Sequence, residues 1–136
     1  MINQVLYVDD DKTALSLFNL VNNKAAFANQ ALIANSAQQV LDFYDQLLHM
    51  IGTTSIYPEI LFIDLVMPIM DGLELLDVFT RKYLSAFPDT KVIVLTSSIN
   101  PADKLKVEDY TCVTDFVTKP VTVQLLNELR VKLKGG

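Results

Sequence analysis

Apolar positions along the chain alternate between two patterns. Continuous runs occur at Val5-Leu6-Tyr7-Val8, Ala31-Leu32-Ile33-Ala34, Ile60-Leu61-Phe62-Ile63, Val92-Ile93-Val94-Leu95 and the short pair Phe116-Val117. Runs of this length without polar alternation read as parallel strands buried on both faces. Between them the spacing becomes helical. Ala14, Leu17, Phe18 and Val21 predict one apolar face; Ala37, Val40, Leu41, Tyr44 and Leu48 a second; Leu75, Leu76, Phe79 and Tyr83 a third; Leu125, Leu126, Leu129 and Leu133 a fifth. The fourth helix, within 101–109, is weak, because Leu105 and Val107 are its only large apolar residues. Asp11, Ser36, Asp71 and Asn100 each offer a side-chain oxygen to the orphan amides of a helix start. Lys132 and Lys134 fall in the last turn of the chain, where positive charge favours the helix dipole.

Five strands alternating with five helices predict an α/β domain, a (βα)5 doubly wound parallel sheet. In such sheets ligands sit beyond the carboxyl ends of the strands. The residues that follow the runs are Asp9-Asp10-Asp11, Asp64, Thr96-Ser97-Ser98 and Lys119-Pro120. Singly, each has an ordinary structural explanation: a helix cap for Asp11, a strand-end hydroxyl for Thr96, a solvated Lys119, a first-turn proline for Pro120. Together they form a chemistry. Gathered carboxylates repel, two at 4 Å by about 4 kcal/mol at an effective dielectric of 20. A hard divalent cation such as Mg²⁺ offsets that repulsion. With an ammonium and a hydroxyl beside it, the set suits a phosphoryl group, and a carboxylate can itself be the nucleophile.

Composition narrows the classes. The chain has 136 residues, 51% of them hydrophobic and 20% charged, enough for one packed domain. The formal charge of −5 argues against binding a phosphate backbone, so no direct nucleic-acid contact is expected. Mean hydropathy is high at +0.30, yet no apolar run reaches membrane-span length, and no basic leader opens the sequence. One cysteine, Cys112, excludes an internal disulfide or a thiolate metal cluster, and one histidine, His49, excludes a multi-histidine zinc site. Cys112 reads as a small buried hydrophobe, and His49 as a charge near a helix C-terminus. A cytoplasmic monomer or weak dimer is the expectation.

The motifs Val8-Asp9-Asp10, Asp64-Leu65-Val66-Met67-Pro68-Ile69-Met70-Asp71-Gly72, Val94-Leu95-Thr96-Ser97 and Lys119-Pro120 resemble those of two-component response regulator receiver domains. The resemblance covers roughly residues 2–134. It implies a flavodoxin-like strand order, 2-1-3-4-5. It implies Asp64 as phosphoacceptor, and Mg²⁺ (or Mn²⁺) held by Asp9, Asp10, Asp64 and the backbone carbonyl of Val66, with Asp10 the more direct of the acid pair. It implies that Lys119 pairs with Asp64 before phosphorylation, that the Lys119–Pro120 peptide is cis, and that Thr96 and Phe116 form the switch. It also implies a donor, a sensor histidine kinase or histidine phosphotransfer protein, and an output surface on helix 4, strand 5 and helix 5. Gly72 is expected to accommodate strained backbone. No output module is expected after Lys134, so the signal would leave by contact with a downstream protein.

Three features depart from the pattern: a long stretch at 50–58, the bulky 110–115 segment (Tyr110 to Asp115) before strand 5, and Val66 and Ser98 where other members often carry groups that orient water. The last predicts slow self-dephosphorylation. Two other readings compete. Asp9-Asp10-Asp11-Lys12-Thr13 also fits the D-x-D-x-T motif of haloacid-dehalogenase-like phosphatases, with Asp9 as nucleophile, Asp11 as acid/base, and Thr96 and Lys119 as later motifs. That reading lacks an acidic pair after Lys119 and leaves Asp64 unexplained. The third reading is a receiver-like scaffold that is never phosphorylated.

Overall fold

The computed structural model describes residues 2–50, 56–97 and 99–135. Ser98 and most of the 50–58 stretch therefore lie outside the described residues, as does the side chain of Lys134. Among those described, five strands alternate with five helices: β1 Ile2–Val8, α1 Lys12–Ala25, β2 Ala28–Ala34, α2 Ala37–His49, β3 Ile60–Asp64, α3 Gly72–Lys82, β4 Lys91–Thr96, α4 Pro101–Glu108, β5 Val113–Thr118 and α5 Val123–Gly135. The strands form one parallel sheet in the order β2-β1-β3-β4-β5.

The period of two along each strand divides the core. Leu6, Val8, Leu61, Ile63, Val92 and Val94 meet α2 and α3 through Val40, Tyr44, Leu75 and Phe79. Val5, Tyr7, Ile60, Phe62, Ile93 and Leu95 meet α1 and α5 through Leu15, Phe18, Leu126 and Leu129. The three central strands are buried on both faces, as their unbroken apolar runs require. The edge strands are not. Ile33 of β2 is 45% exposed and no residue of β5 is fully buried, because an edge strand has a neighbour on one side only. β5 runs six residues, well past Phe116-Val117, and carries a register shift opposite Val92 and Ile93.

Asp11, Ser36, Asp71 and Asn100 cap α1, α2, α3 and α4, each accepting a first-turn amide. Asp71 forms a full capping box with Glu74. The predicted face of α1 is rotated. Its buried residues are Leu15, Phe18 and Asn22, and Leu17 is 42% exposed. Asn22 is responsible, because its side chain closes the α1–β2 turn through both the amide and the carbonyl of Ala28. In α4 only Val107 is buried, and Leu105 faces outward. His49 ends α2, its Nδ1 against the Asp45 carbonyl at 2.7 Å.

Candidate functional site at the strand tips

The register places the acids. Val8 pairs with Ile63, so the next residues, Asp9 and Asp64, emerge side by side at the carboxyl end of the sheet. Both follow residues of the α1/α5 face by two positions, Tyr7 and Phe62, and both stay buried, at 1% and 3% exposure. Asp10, one position on, is exposed. One oxygen from each of Asp9, Asp10 and Asp64 lies within 4.8 Å of the others. Lys119 reaches the pair from the end of β5, whose register is held by its amide donating to the Thr96 carbonyl at 2.8 Å. The Lys119–Pro120 peptide is cis.

The lysine serves both buried acids. Its Nζ stands 2.9 Å from Asp9 Oδ2 and 3.4 Å from Asp64 Oδ2, so it pairs with both acids, Asp9 the closer. Asp9 is further fixed by the Asp11 amide, which donates to Oδ1 at 3.0 Å. Asp11 itself turns away to cap α1, accepting from the Thr13 amide at 2.9 Å. That leaves it the role of a cap and weakens the phosphatase reading, which needs Asp11 as acid/base.

Thr96 is buried at the tip of β4 on the opposite side of the sheet, two residues beyond Val94. Phe116 pairs with Val94 in register and packs half-buried against the same α2/α3 cluster. Thr96 and Phe116 thus share one face, and the buried acids the other.

The loop from Leu65 to Asp71 follows directly on Asp64. Leu65 and Met67 anchor it in the core, while Val66 and Ile69 are exposed. The strained residue is Ile69, at φ 69°, spanned by a Met70 amide bond to the Pro68 carbonyl at 2.9 Å. Gly72 does not carry the strain expected of it. It is the first residue of α3, and a Cβ there would stand 2.4 Å from the Asp64 carbonyl oxygen and 2.7 Å from Leu65 Cα. Glycine is needed so that α3 can start directly against the backbone of the acid.

The response regulator receiver domain model matches residues 5–130. The chain belongs to that family. Among solved structures, a two-component response regulator from Cytophaga hutchinsonii is 27% identical, with TM-score 0.87 over 99% of this chain and 98% of the other. One from Legionella pneumophila is 25% identical, with TM-score 0.74 over all of both chains. The chemotaxis protein CheY4 of Vibrio cholerae, 18% identical, shares the fold with TM-score 0.77 over 97% and 98%. No curated protein sequence matches significantly.

Electrostatics mark this receiver's site as under tension. Burial, then the charge of Asp9, raises the Asp64 pKa to about 6, although Lys119 opposes the rise. The Lys119 ammonium is held charged, its pKa raised by the two acids against its own burial. Receiver domains typically bind Mg²⁺ at an acidic cluster, and this one fits: hard oxygen donors, two of them buried, with one ammonium against three carboxylates.

Tyr7 escaped the sequence reading. It sits two residues before Asp9, stacked on Phe18 at 4.3 Å, and borders a cavity of about 380 Å³ with Asp11, Leu17, Ser97 and Lys119. Burial and the charges of Asp9, Asp64 and Asp11 push its phenol pKa far up, so it stays neutral. The signal was available: an aromatic with a polar end, inside a strand and in phase with the acid.

Proposed function

We propose that this receiver is the phosphoacceptor of a two-component phosphorelay and that Asp64 takes the phosphoryl group. The observation that carries the reading is the contact of one ammonium with two buried carboxylates at the strand tips, with a third carboxylate beside them. Receiver domains are signalling domains that interact with histidine kinases or phosphotransfer proteins and with downstream effectors.

In the proposed transfer an Asp64 carboxylate oxygen attacks the phosphorus of a phosphohistidine. The new O–P bond forms as the P–N bond breaks, and the electron pair returns to the imidazole, which takes up a proton. Asp9, Asp10, Asp64 and the Val66 carbonyl are the residues that would hold Mg²⁺ (or Mn²⁺), which neutralises phosphoryl oxygens when bound. Lys119 transfers its contact from Asp64 to the incoming phosphoryl group and keeps Asp9 oriented. Thr96 donates its hydroxyl to a phosphoryl oxygen. Phe116 then moves inward on the face it shares with Thr96, altering the α4–β5–α5 surface that the downstream protein reads. Val66 presents no group that orients water, so the acyl phosphate is expected to persist for minutes or longer. No helix of the described residues is long and apolar enough to cross a membrane, and the proposed setting is a cytoplasmic monomer or weak dimer.

The experiment is incubation with acetyl phosphate and Mg²⁺, read by intact mass. The wild type should gain one phosphoryl group and Asp64→Asn none. Equal labelling of both proteins overturns the assignment in favour of another acceptor, such as the Asp9 of the phosphatase reading, and labelling of neither leaves the scaffold reading.

A further inference from the structure

The geometry points to the hydrogen bond from Tyr110 to Asp77 as an autoinhibitory latch that holds the α4–β5 connection on α3 in the unphosphorylated protein. The inference rests on the reading of Asp64 as phosphoacceptor and Phe116 as the residue that moves. Its starting point is how little else holds this part of the chain. α4 has eight residues and buries one of them, Val107. β5 beyond it is an edge strand whose pairing with β4 is irregular at its start.

Tyr110 lies between them. Its ring packs half-buried against the α2/α3 cluster, and its hydroxyl donates to Asp77 Oδ1 at 3.1 Å. Among the described residues this is the only side-chain hydrogen bond from 101–111 to another element. The acceptor is prepared: Arg81 Nε donates to Asp77 Oδ2 at 2.8 Å, which fixes the carboxylate with its other oxygen toward Tyr110. Both partners hold the Asp77 pKa below the usual carboxylate range, Arg81 most strongly, so the acceptor is ionised at neutral pH. A turn along α3, Thr80 meets Cys112 Sγ at 3.9 Å, so the same seam reaches the residue just before β5.

Phe116 packs against the cluster that also seats Tyr110, Val113 and Val107. Even where Phe116 enters the volume that Thr96 leaves, a close-packed interior repacks around a ring that moves within it. Inward movement of Phe116 therefore disturbs the cluster on which Tyr110 is seated, and the Tyr110–Asp77 bond is assigned to the inactive state. An interaction present in one state alone biases the equilibrium by its own free energy. Its loss should favour the active state about three- to tenfold, the ordinary net worth of an intramolecular hydrogen bond rather than that of a buried charged one, because the Asp77 side chain is 46% exposed.

The test is beryllofluoride affinity in saturating Mg²⁺ for wild type, Tyr110→Phe, Asp77→Ala and the double variant, with acetyl phosphate labelling alongside. Tyr110→Phe keeps the ring and removes only the donor. Both single variants should bind beryllofluoride three- to tenfold more tightly, and the double variant no more tightly than either. Without phosphodonor, amides of 104–112 should exchange faster in Tyr110→Phe. A purely structural bond would lower melting temperature and leave affinity unchanged, which overturns the latch while labelling at Asp64 stands. Failure of labelling in the wild type overturns the underlying reading and the latch with it.

Discussion

Replacing Asp64 by asparagine should stabilise the protein at neutral pH and leave it unchanged in acid. The side chain is 3% exposed, and its pKa is raised from 3.8 to about 6, by burial first and by Asp9 second. A rise of roughly two units corresponds to about 3 kcal/mol by which the folded state disfavours the ionised form. Asparagine has nearly the same shape, carries no charge and still offers Lys119 an oxygen. It mimics the protonated acid without the pH dependence.

The sign follows from proton binding. The folded-state pKa lies above the unfolded one, so the folded protein binds the proton more tightly. The favourable contribution is complete below about pH 4 and is lost as pH rises through about 6. Lys119 is shifted upward too, but its contribution disappears only in alkali, outside this window. Asp45 and Asp77 titrate alike in both proteins and cancel in the difference. The assay is urea unfolding of wild type and Asp64→Asn in metal-free buffer across that range. The gap should be near zero at about pH 4 and reach about 2–3 kcal/mol by neutrality. A variant less stable than wild type at neutral pH, or a gap that does not move with pH, refutes the claim that the acids strain one another.

Millimolar Mg²⁺ should raise the melting temperature of the wild type, while Asp10→Ala, which removes one of the three clustered carboxylates, should lose most of that gain. Gly72→Ala should destabilise by about 3 kcal/mol or more in denaturant unfolding, because its Cβ would overlap the Asp64 carbonyl at 2.4 Å and backbone must move to admit it. Tyr44→Phe should be neutral or stabilising by about 1 kcal/mol in the same assay, since the Tyr44 hydroxyl is fully buried with no partner among the described residues.

The sheet was legible because parallel strands buried on both faces leave unbroken apolar runs, and because four helices begin at side chains whose chemistry is that of a cap. Asp9, Asp64, Thr96 and Lys119 were legible for a topological reason: the residue after a strand must emerge at the sheet's carboxyl end. What was hidden depends on long-range geometry. The bond of Lys119 to Asp9, 110 residues away, is set by how two strands lie on either side of β3 and β4. The rotation of α1 follows from Asn22 bonding across the α1–β2 turn, which periodicity does not register. Gly72 shows the same limit. A glycine in sequence does not say whether backbone torsion or closeness demands it, and here closeness does, while the strained torsion belongs to Ile69.

The charge count at the site explains why phosphorylation should act through Thr96. With Asp64 ionised at neutral pH, three carboxylates face one ammonium, leaving two net negative charges at the strand tips. A divalent cation held by these oxygens would balance them. An acyl phosphate on Asp64 then adds roughly one further negative charge in place of the carboxylate's single one. Lys119 still pairs with Asp9 when it turns to the phosphoryl group, so in this proposal it would not absorb the increment alone. The remaining demand falls on a neutral donor near the site, and the Thr96 hydroxyl at the adjacent strand tip is such a group, on the far side of the sheet from the acids. A threonine drawn toward the phosphoryl group vacates volume on the α2/α3 face, and Phe116 lies on that face in register with Val94. In the proposed switch the charge imbalance at one end of the sheet would become a packing imbalance on one side of it, the side on which the Tyr110–Asp77 bond joins the α4–β5 connection to α3.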